Sequence, residues 1–195
     1  YVTSTYILER IRDKVLLLND AFWIRNCPEK FFPHDFLQFM PPTLISQDME
    51  LLLDFYESYR HVVVKPLYEY HGRGIFQLEP RDPDAVDKLE AALKQYNEPI
   101  IMQKFLPEIF KGNKRIIFFD GKVVGAICTT PPAHEFRVYR DSVDSLYELD
   151  EDDKEICKAI GKELKKRDLF FVGIDLIGHY LTEINVTCTA TLMRL

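Results

Sequence analysis

Two pairs of short apolar runs, each pair separated by a turn sequence, constrain the fold of this chain more than any other feature. The first pair surrounds Asp120-Gly121 in RIIFFDGKVVGAIC, and the second surrounds Gly178 in FFVGIDLIGHYLTEINV. Strand-length apolar runs around such turns are typical of β-hairpins, in which the two strands are antiparallel. We therefore predict two hairpins, the second one formed by residues 170–177 and 181–186.

The rest of the chain alternates between helix-like and strand-like segments. Apolar residues recur with helical spacing in segments that start near Ser46, Asp82 and Asp150, and short apolar runs lie between them. This mixture predicts an α+β chain in which helices cover antiparallel sheets. We expect the first of these helices to run to Tyr59 and the last to Arg167. The predicted strands outside the hairpins are residues 15–18, 41–46, 61–65, 74–78 and 99–103.

Composition excludes several classes of protein. Of the 195 residues, 47% are hydrophobic and 29% are charged, so we expect a packed core rather than disorder. The 31 acidic and 25 basic residues give a net charge of −6, which argues against nucleic acid or a membrane surface as the partner. No apolar run reaches the roughly 18 residues of a membrane span. The four cysteines are scattered without a C-x-x-C pair, which favours a reduced, cytoplasmic protein.

Three oxygen-bearing side chains lie within the second predicted hairpin. Asp175 is in one apolar strand, while Glu183 and Asn185 are two positions apart in the other and share a face. Asp175 joins that face if it pairs with Glu183, which we expect to need a loop formed by residues 178–180, whereas a shorter turn would point Asp175 away. Two carboxylates and an amide oxygen suit Mg²⁺. The alternative is a solvated outer face of the sheet, against which the apolar flanks weigh.

Several basic residues are candidates for binding an anion. Lys65 ends a buried strand and precedes Gly72-x-Gly74, a turn whose N–H groups can approach a phosphate closely. Lys114, Arg115 and Arg137 can also bind a carboxylate or a phosphate. Each of these residues has a plainer alternative as a solvated surface charge. The spacing of the sequence indicates no Ser/His/Asp or Cys/His nucleophile.

Taken together, the segments resemble the bacterial glutathione synthetases, which are ATP-grasp ligases. The resemblance covers nearly the whole chain up to Thr187, and the last segment and the order of all the segments are its most specific parts. The segments are TSTYILER, ND-x-x-x-IRN-x-PEKFF, PPTLIS, VVVKPL, MQKFLPEI, KGNKRIIFFDGKVVG, EFR and FVGIDLIG-x-x-LTEINVT.

The resemblance implies an ATP-grasp fold, in which two α/β subdomains hold ATP between antiparallel sheets. Residues 1–40 would then be the end of a preceding N-terminal domain and a linker. Residues 41–107 would form the small subdomain, and residues 108–195 would form the large subdomain with the metal site.

The resemblance also implies a role for each candidate residue. Asp175, Glu183 and Asn185 would carry Mg²⁺, with Mn²⁺ as an alternative. Arg115 would lie near the reacting phosphate, and Arg137 would contact the peptide substrate. The residues around ATP would be Lys30 and Lys65 at the phosphates, Gly72 and Gly74 in the phosphate loop, Gln103, Lys104, Phe105 and Leu106 at the adenine, and Asn113 where the family has an acid that faces the ribose.

The implied activity is that of a glutathione synthase. The carboxylate of γ-glutamylcysteine would attack the γ-phosphorus of ATP, and the amine of glycine would attack the resulting acyl phosphate. The implied partners are therefore ATP, γ-glutamylcysteine and glycine, within a homotetramer. The alternatives are another ATP-grasp carboxylate–amine ligase and an ATP-binding module without turnover.

Four departures from the family pattern bear on these expectations. Glu69 and His71 replace glycines of the phosphate loop, and Thr130 stands where the family often has an arginine. The sequence also jumps after Arg137 and again after Thr187, where we expect omitted mobile residues, and we expect a missing N-terminal domain before Tyr1.

Overall fold

The computed structural model of the chain describes residues 2–70, 72–138 and 141–187. Its helices are α1 (Val2–Glu9), α2 (Ala21–Asn26), α3 (Met49–Tyr59), α4 (Ala85–Tyr96) and α5 (Glu151–Lys166), with 3-10 helices at Phe32–Phe39 and Pro107–Lys111. Its strands are β1 (Thr43–Ser46), β2 (Val62–Pro66), β3 (Phe76–Leu78), β4 (Ile100–Lys104), β5 (Asn113–Phe119), β6 (Lys122–Thr130), β7 (Val143–Leu146), β8 (Phe171–Ile177) and β9 (Tyr180–Asn185).

The chain divides into two compact units, and the first consists of residues 41–107. Its strands lie in the order β1-β4-β2-β3, and all neighbouring strands are antiparallel. Leu52 of α3 and Leu89 of α4 are buried in one cluster with Val62, Val64 and Met102 of the sheet. Because side chains alternate along a strand, Thr43, Lys65 and Gln103 lie on the opposite face.

The second unit combines residues 1–40 with residues 108–195. Its strands lie in the order β7-β6-β5-β8-β9, again with every neighbouring pair antiparallel. Ile160 and Leu164 of α5 are buried with Phe118 and Ile174 of the sheet and with Phe36 of the first 3-10 helix. The α+β class with antiparallel sheets is thus confirmed. That residues 1–40 end a preceding domain stays a prediction.

Asn19 fastens the segment before α2 to the second sheet. Its amide nitrogen donates to the carbonyls of Phe171 (2.8 Å) and Val186 (2.7 Å), and its amide oxygen accepts from the N–H of Phe171 (2.7 Å). The predicted strand at residues 15–18 is wrong, because Leu16 and Leu18 are 82% and 56% exposed and no strand forms there. A short apolar run becomes a strand only beside a sheet edge, and here a side-chain amide makes that contact instead.

The predicted hairpin around Asp120-Gly121 is confirmed. β5 pairs with β6, and both turn residues have positive φ angles of 48° and 68°, as a tight hairpin turn requires. A Cβ on Gly121 would lie 2.5 Å from the carbonyl oxygen of Gly161 in α5, so glycine lets the turn approach the helix.

In the second hairpin the predicted pairing is right and the predicted loop is wrong. Asp175 pairs with Glu183, yet Ile177 pairs with Tyr180 across a two-residue turn. A β-bulge lies between these pairs and leaves Thr182 as the extra residue on β9, and the Thr182 hydroxyl donates to the carbonyl of Asp175 at 3.1 Å. The bulge reverses the alternation once, so Asp175 faces Glu183 despite the short turn.

The helix termini lie within a few residues of the predicted ones. α5 begins after Asp150, which forms a capping box with Asp153, and ends at Lys166, one residue before the predicted end. α4 begins at Ala85 rather than near Asp82. α3 is capped by Asp48 rather than Ser46, because the Asp48 carboxylate accepts from the N–H groups of Glu50 and Leu51. Among the helices of the described ranges, none is long and apolar enough to cross a membrane.

Candidate functional site

Asp175 forms the centre of a charged cluster in the second unit. It pairs across the sheet with Arg115 of β5, whose guanidinium forks onto both carboxylate oxygens. The Nε–Oδ1 distance is 2.5 Å and the Nη2–Oδ2 distance is 2.7 Å. Asp175 is only 4% exposed, so the carboxylate is desolvated and depends on these donors.

Two amide side chains complete the contacts of Asp175. Asn113, two positions before Arg115 on β5, donates to Oδ1 at 3.1 Å. Asn185 on β9 donates to Oδ2 at 3.2 Å. A carboxylate has about four acceptor positions, so these four hydrogen bonds use all of them.

Acidic residues around Arg115 stabilise its positive charge. Burial acts to lower the pKa of Arg115, but the charge and hydrogen bonds of Asp175 and the charges of Glu183 and Glu29 outweigh it and raise that pKa. Glu183 therefore shares this face with Asp175, as the register predicts. The guanidinium remains protonated at every physiological pH.

Lys30 reaches the same unit through the segment before the first 3-10 helix. The carbonyl of Glu29 accepts from the N–H of Ile184 in β9 at 3.0 Å, which ties this segment to the strand that carries Glu183 and Asn185. Lys30 is 5% exposed, and its ammonium lies 3.3 Å from the Glu29 carboxylate. The structure thus brings Lys30, Asn113, Arg115 and the three predicted metal ligands into one unit.

The donor set on β8 and β9 fits a hard cation. Asp175 and Glu183 offer carboxylate oxygens. The Asn185 amide nitrogen now points at Asp175, and a 180° rotation of the amide group would put its oxygen in that position. Asp175 must release one of its four hydrogen-bond donors before it can give an oxygen to a metal.

The comparisons with known proteins agree with this combination of fold and side chains. Residues 29–195 match the family model described as the prokaryotic glutathione synthetase ATP-grasp domain. The chain belongs to this family. The glutathione synthetases of Mesorhizobium japonicum and Agrobacterium fabrum are 44% and 42% identical to it over 96% of the chain. The chain spans 60% and 59% of the lengths of these two relatives.

Solved structures support the same fold at lower identity. D-cycloserine synthetase DcsG superposes with a TM-score of 0.72 at 17% identity, over 94% of this chain and 70% of that chain. A D-alanine–D-alanine ligase from Bacillus anthracis, solved with ATP, gives a TM-score of 0.65 at 19% identity, over 87% of this chain and 59% of that chain. These likenesses confirm the predicted ATP-grasp fold.

Lys65 and Gln103, two further residues that the glutathione synthetase resemblance assigns to ATP, lie together in the unit of residues 41–107. The Lys65 ammonium donates to the amide oxygen of Gln103 at 3.0 Å. Gln103 in turn donates to the Thr43 hydroxyl at 2.9 Å. Lys65 and Gln103 are only 9% and 4% exposed.

The segment assigned to adenine in this family follows β4 directly. Phe105 and Leu106 are buried, whereas Lys104 is exposed. The Phe105 ring stacks on the imidazole of His61 with the ring centroids 3.9 Å apart, and its N–H donates to the carbonyl of His61 at 3.0 Å. These contacts fix the backbone of the segment against the start of β2.

The glycines after Lys65 differ in what they contact. Gly74 has a φ of +67°, which favours glycine, and a Cβ there would lie 2.1 Å from the Tyr96 hydroxyl of α4, so any other residue would also have to displace that side chain. Gly72 has a φ of +70° and open space around its Cβ position, so only its backbone conformation requires glycine. His71, which directly precedes Gly72, lies outside the described residues.

Arg137 pairs with a residue close to it in sequence. Its Nε lies 3.2 Å from the Glu135 carboxylate, whose pKa is lowered first of all by this hydrogen bond. The guanidinium also lies over the Phe136 ring, with Cζ 5.4 Å from the ring centroid. The expected contact of Arg137 with a peptide substrate stays a prediction.

Sequence reasoning missed Thr43 and Glu29 and grouped Lys114 with Arg115. Thr43 had a usable signal, since the alternation of β1 places it on the polar face. Strand alternation also separates Lys114 from Arg115: the Lys114 ammonium binds Asp153 at the start of α5, with Nζ–Oδ1 and Nζ–Oδ2 distances of 2.7 and 3.0 Å.

Proposed function

We propose that the protein to which this chain belongs is a glutathione synthase. It would ligate γ-L-glutamyl-L-cysteine to glycine with ATP and release glutathione, ADP and phosphate. The observation that carries the proposal is the 44% identity to a glutathione synthetase over 96% of the chain, within a matched ATP-grasp domain. The Asp175 cluster supports it, because its residues are those that such chemistry needs.

The reaction needs no nucleophile from the protein. The substrate carboxylate attacks the γ-phosphorus of ATP, the bond to the β-γ bridging oxygen breaks, and ADP leaves. The glycine amine then attacks the carbonyl carbon of the acyl phosphate, phosphate leaves, and the amine loses a proton. The chain's residues therefore contribute by positioning and by neutralising charge, which accords with the lack of a nucleophile signal in the sequence.

Asp175, Glu183 and Asn185 would hold Mg²⁺, with Mn²⁺ as an alternative. The cation, when bound, neutralises phosphate charge and polarises the reacting phosphoryl group. Asp175 has to exchange one of its present donors for this role. If the exchanged donor is Arg115, its guanidinium becomes available to an oxygen of the reacting phosphate, which is the role proposed for it.

The remaining candidate residues would bind the two larger substrates. The ammonium groups of Lys30 and Lys65 would bind ATP phosphates, and the backbone at Gly72 and Gly74 would cover them. Arg137 would bind the peptide substrate. Around the nucleoside the resemblance assigns Gln103, Lys104, Phe105 and Leu106 to the base and Asn113 to the ribose side, although the Asn113 amide donates to Asp175 in this structure.

Coupled ADP release by the full-length protein tests the proposal. The assay supplies Mg²⁺-ATP, γ-glutamylcysteine and glycine, and each component is left out in turn. We expect ADP release only when all are present, and we expect Asp175→Asn to abolish most of it. ADP release by Asp175→Asn at the wild-type rate would remove the metal assignment.

A second candidate is another ATP-grasp carboxylate–amine ligase. The likeness to D-cycloserine synthetase and to a D-alanine–D-alanine ligase shows that this fold serves different ligases. ADP release with a different carboxylate–amine pair would favour it. ATP binding without turnover on any pair would instead indicate a non-catalytic module.

We also propose a cytoplasmic homotetramer. Family membership supports the assembly, and sedimentation of the full-length protein would test it. Cys27, Cys128 and Cys157 are free thiols, which supports a reducing compartment.

A further inference from the structure

A chain of hydrogen bonds runs from the backbone of Pro41 to the ammonium of Lys65. The Thr43 hydroxyl donates to the Pro41 carbonyl at 2.8 Å, and it accepts from the Gln103 amide nitrogen at 2.9 Å. The Gln103 amide oxygen then accepts from the Lys65 ammonium at 3.0 Å. Lys65 is thereby connected to a fixed point of the backbone through two neutral side chains.

Strand register places these side chains side by side. Gln103 of β4 is paired with Thr43 of β1 on one side and with Val63 of β2 on the other. Lys65 lies two positions after Val63, so it is the diagonal neighbour of Gln103 on the same face. This face is opposite to the one that Val62, Val64 and Met102 present to the core.

The chain of hydrogen bonds has only one direction. Because the Thr43 hydroxyl gives its single proton to Pro41, it can only accept from Gln103. The Gln103 amide must therefore direct its nitrogen at Thr43 and its oxygen at Lys65. If the Thr43 hydroxyl is removed, the Gln103 nitrogen loses its acceptor, and only the Lys65 ammonium itself still orients the amide. The Gln103 side chain is then no longer tied to the backbone of Pro41.

A neutral partner suits a lysine that must bind an anion. The Gln103 oxygen takes one of the three ammonium protons of Lys65 and adds no negative charge. A carboxylate at the same position would form an ion pair with Lys65 and compete with an incoming phosphate.

We propose that Thr43 and Gln103 are positioning residues that hold the Lys65 ammonium for a phosphate of the bound nucleotide. The inference rests on the proposed function, because it takes ATP as the ligand of Lys65. It adds Thr43, to which the resemblance assigns no role, and it gives Gln103 a role at the phosphates rather than at the adenine.

Calorimetric titration of the full-length protein with ATP and with adenosine tests this inference. Thr43→Val removes the hydroxyl and keeps the branched shape, so we expect it to weaken ATP binding by roughly fivefold or more. Adenosine has no phosphate, so its affinity should not change. Thr43→Ser restores the hydroxyl and should restore the affinity for ATP.

Gln77 provides a matched control for Gln103. It lies in the same sheet and pairs with Val63 from the other side, but its amide contacts His61 and Glu79, each at 3.3 Å. We expect Gln103→Leu to weaken ATP binding and Gln77→Leu to leave it near the wild-type value. Gln103→Glu keeps the shape of the side chain and should also weaken ATP binding, because its charge pairs with Lys65.

The outcomes separate this inference from the proposed function. If the wild-type protein binds no ATP, the proposed function fails and the inference fails with it. If the wild-type protein binds ATP and Thr43→Val binds it equally well, only the inference is overturned. Equal losses for ATP and adenosine in Thr43→Val would also overturn it, because they would indicate a distorted sheet rather than a displaced ammonium.

Discussion

At the scale of single residues, Asp175 and Arg115 depend on each other. The Asp175 side chain is 5% exposed and that of Arg115 is 20% exposed, so neither charge is fully hydrated. Removing one member of a buried ion pair leaves the other without compensation and costs about 3–5 kcal/mol, whereas removing both costs much less. A substitution of Arg115 or Asp175 should therefore change the stability of the fold as well as the chemistry of the candidate site.

This coupling predicts a strongly non-additive double-mutant cycle. We expect Arg115→Gln and Asp175→Asn each to lower the free energy of unfolding by about 3 kcal/mol, somewhat less than for a fully buried pair. The double variant should lose less than the sum of the two, because it leaves no unpaired charge. Urea unfolding without added metal measures all four proteins. If the two single losses of unfolding free energy add up to that of the double variant, the ion pair between Arg115 and Asp175 contributes little to stability.

The sequence identified most side chains of the cluster but not their contacts. Asp175, Glu183 and Asn185 followed from alternation in the strands. That Arg115 forks onto Asp175 could not be predicted, because it depends on the pairing of β5 with β8, strands that are more than fifty residues apart in sequence. The contact of Thr43 with Gln103 was hidden for the same reason, since it needs the register of β1 against β4.

At the scale of elements, the start of α5 is joined to the second sheet by a buried lysine. Lys114 of β5 binds Asp153, which is fully buried, and lies over the Tyr147 ring, with Nζ 4.9 Å from the ring centroid. The Tyr147 hydroxyl donates to the same carboxylate at 2.8 Å. Burial acts to lower the pKa of Lys114, but Asp153 outweighs it, so the lysine stays charged.

We expect Lys114→Met to be among the most destabilising changes on this sheet. It leaves the Asp153 carboxylate buried without its cation, at a cost of about 3–5 kcal/mol. Lys122→Met, at an exposed position of β6, is the matched control and should change stability by about 0.5 kcal/mol at most. Urea unfolding of both variants compares them, and similar values would contradict the assignment.

The raised pKa of Tyr147 predicts how the stability of the fold depends on pH. Burial is the largest of the effects that raise its pKa from 10.0 to about 12. Between these values the unfolded chain has released the tyrosine proton and the folded chain retains it, so stability is complete below pH 10 and is lost as the pH rises towards 12. The raised pKa of Lys114 acts in the same direction.

Tyr147→Phe separates the contribution of Tyr147 to the alkaline loss of stability from that of Lys114. The variant keeps the ring over Lys114 and removes the ionisable hydroxyl. Across this alkaline range, the unfolding free energy of the wild-type protein should fall more steeply than that of the variant. Parallel curves would mean that Tyr147 does not contribute to the alkaline loss of stability.

Local sequence signals correctly predicted the elements whose conformation is determined by their own residues. The Asp120-Gly121 turn and the capping box of α5 are of this kind. The bulge at Thr182 is not, because it serves the packing of the whole sheet and no local residue type marks it. The apolar run at residues 15–18 likewise had no strand beside it, which only the assembled sheet reveals.

At the scale of the whole molecule, the chain of the second unit is interrupted by the first. Residues 41–107 are continuous in sequence and have their own buried cluster, which includes Leu52, Leu89 and Met102. The hydrogen bonds from Pro41 to Lys65 also lie entirely within this stretch. A continuous segment with its own core and its own polar network has what a small domain needs to fold.

We therefore predict that the fragment of residues 41–107 folds by itself with a cooperative thermal transition. A core of this size rarely supplies more than about 3–5 kcal/mol, so the fragment should be marginally stable. Leu89→Ala costs about 2–5 kcal/mol at a fully buried position and should leave the fragment largely unfolded. Val86→Ala, at a 44% exposed position of the same helix, should keep the transition. Circular dichroism on heating distinguishes the three fragments. A wild-type fragment without a transition would show that its core needs the rest of the chain.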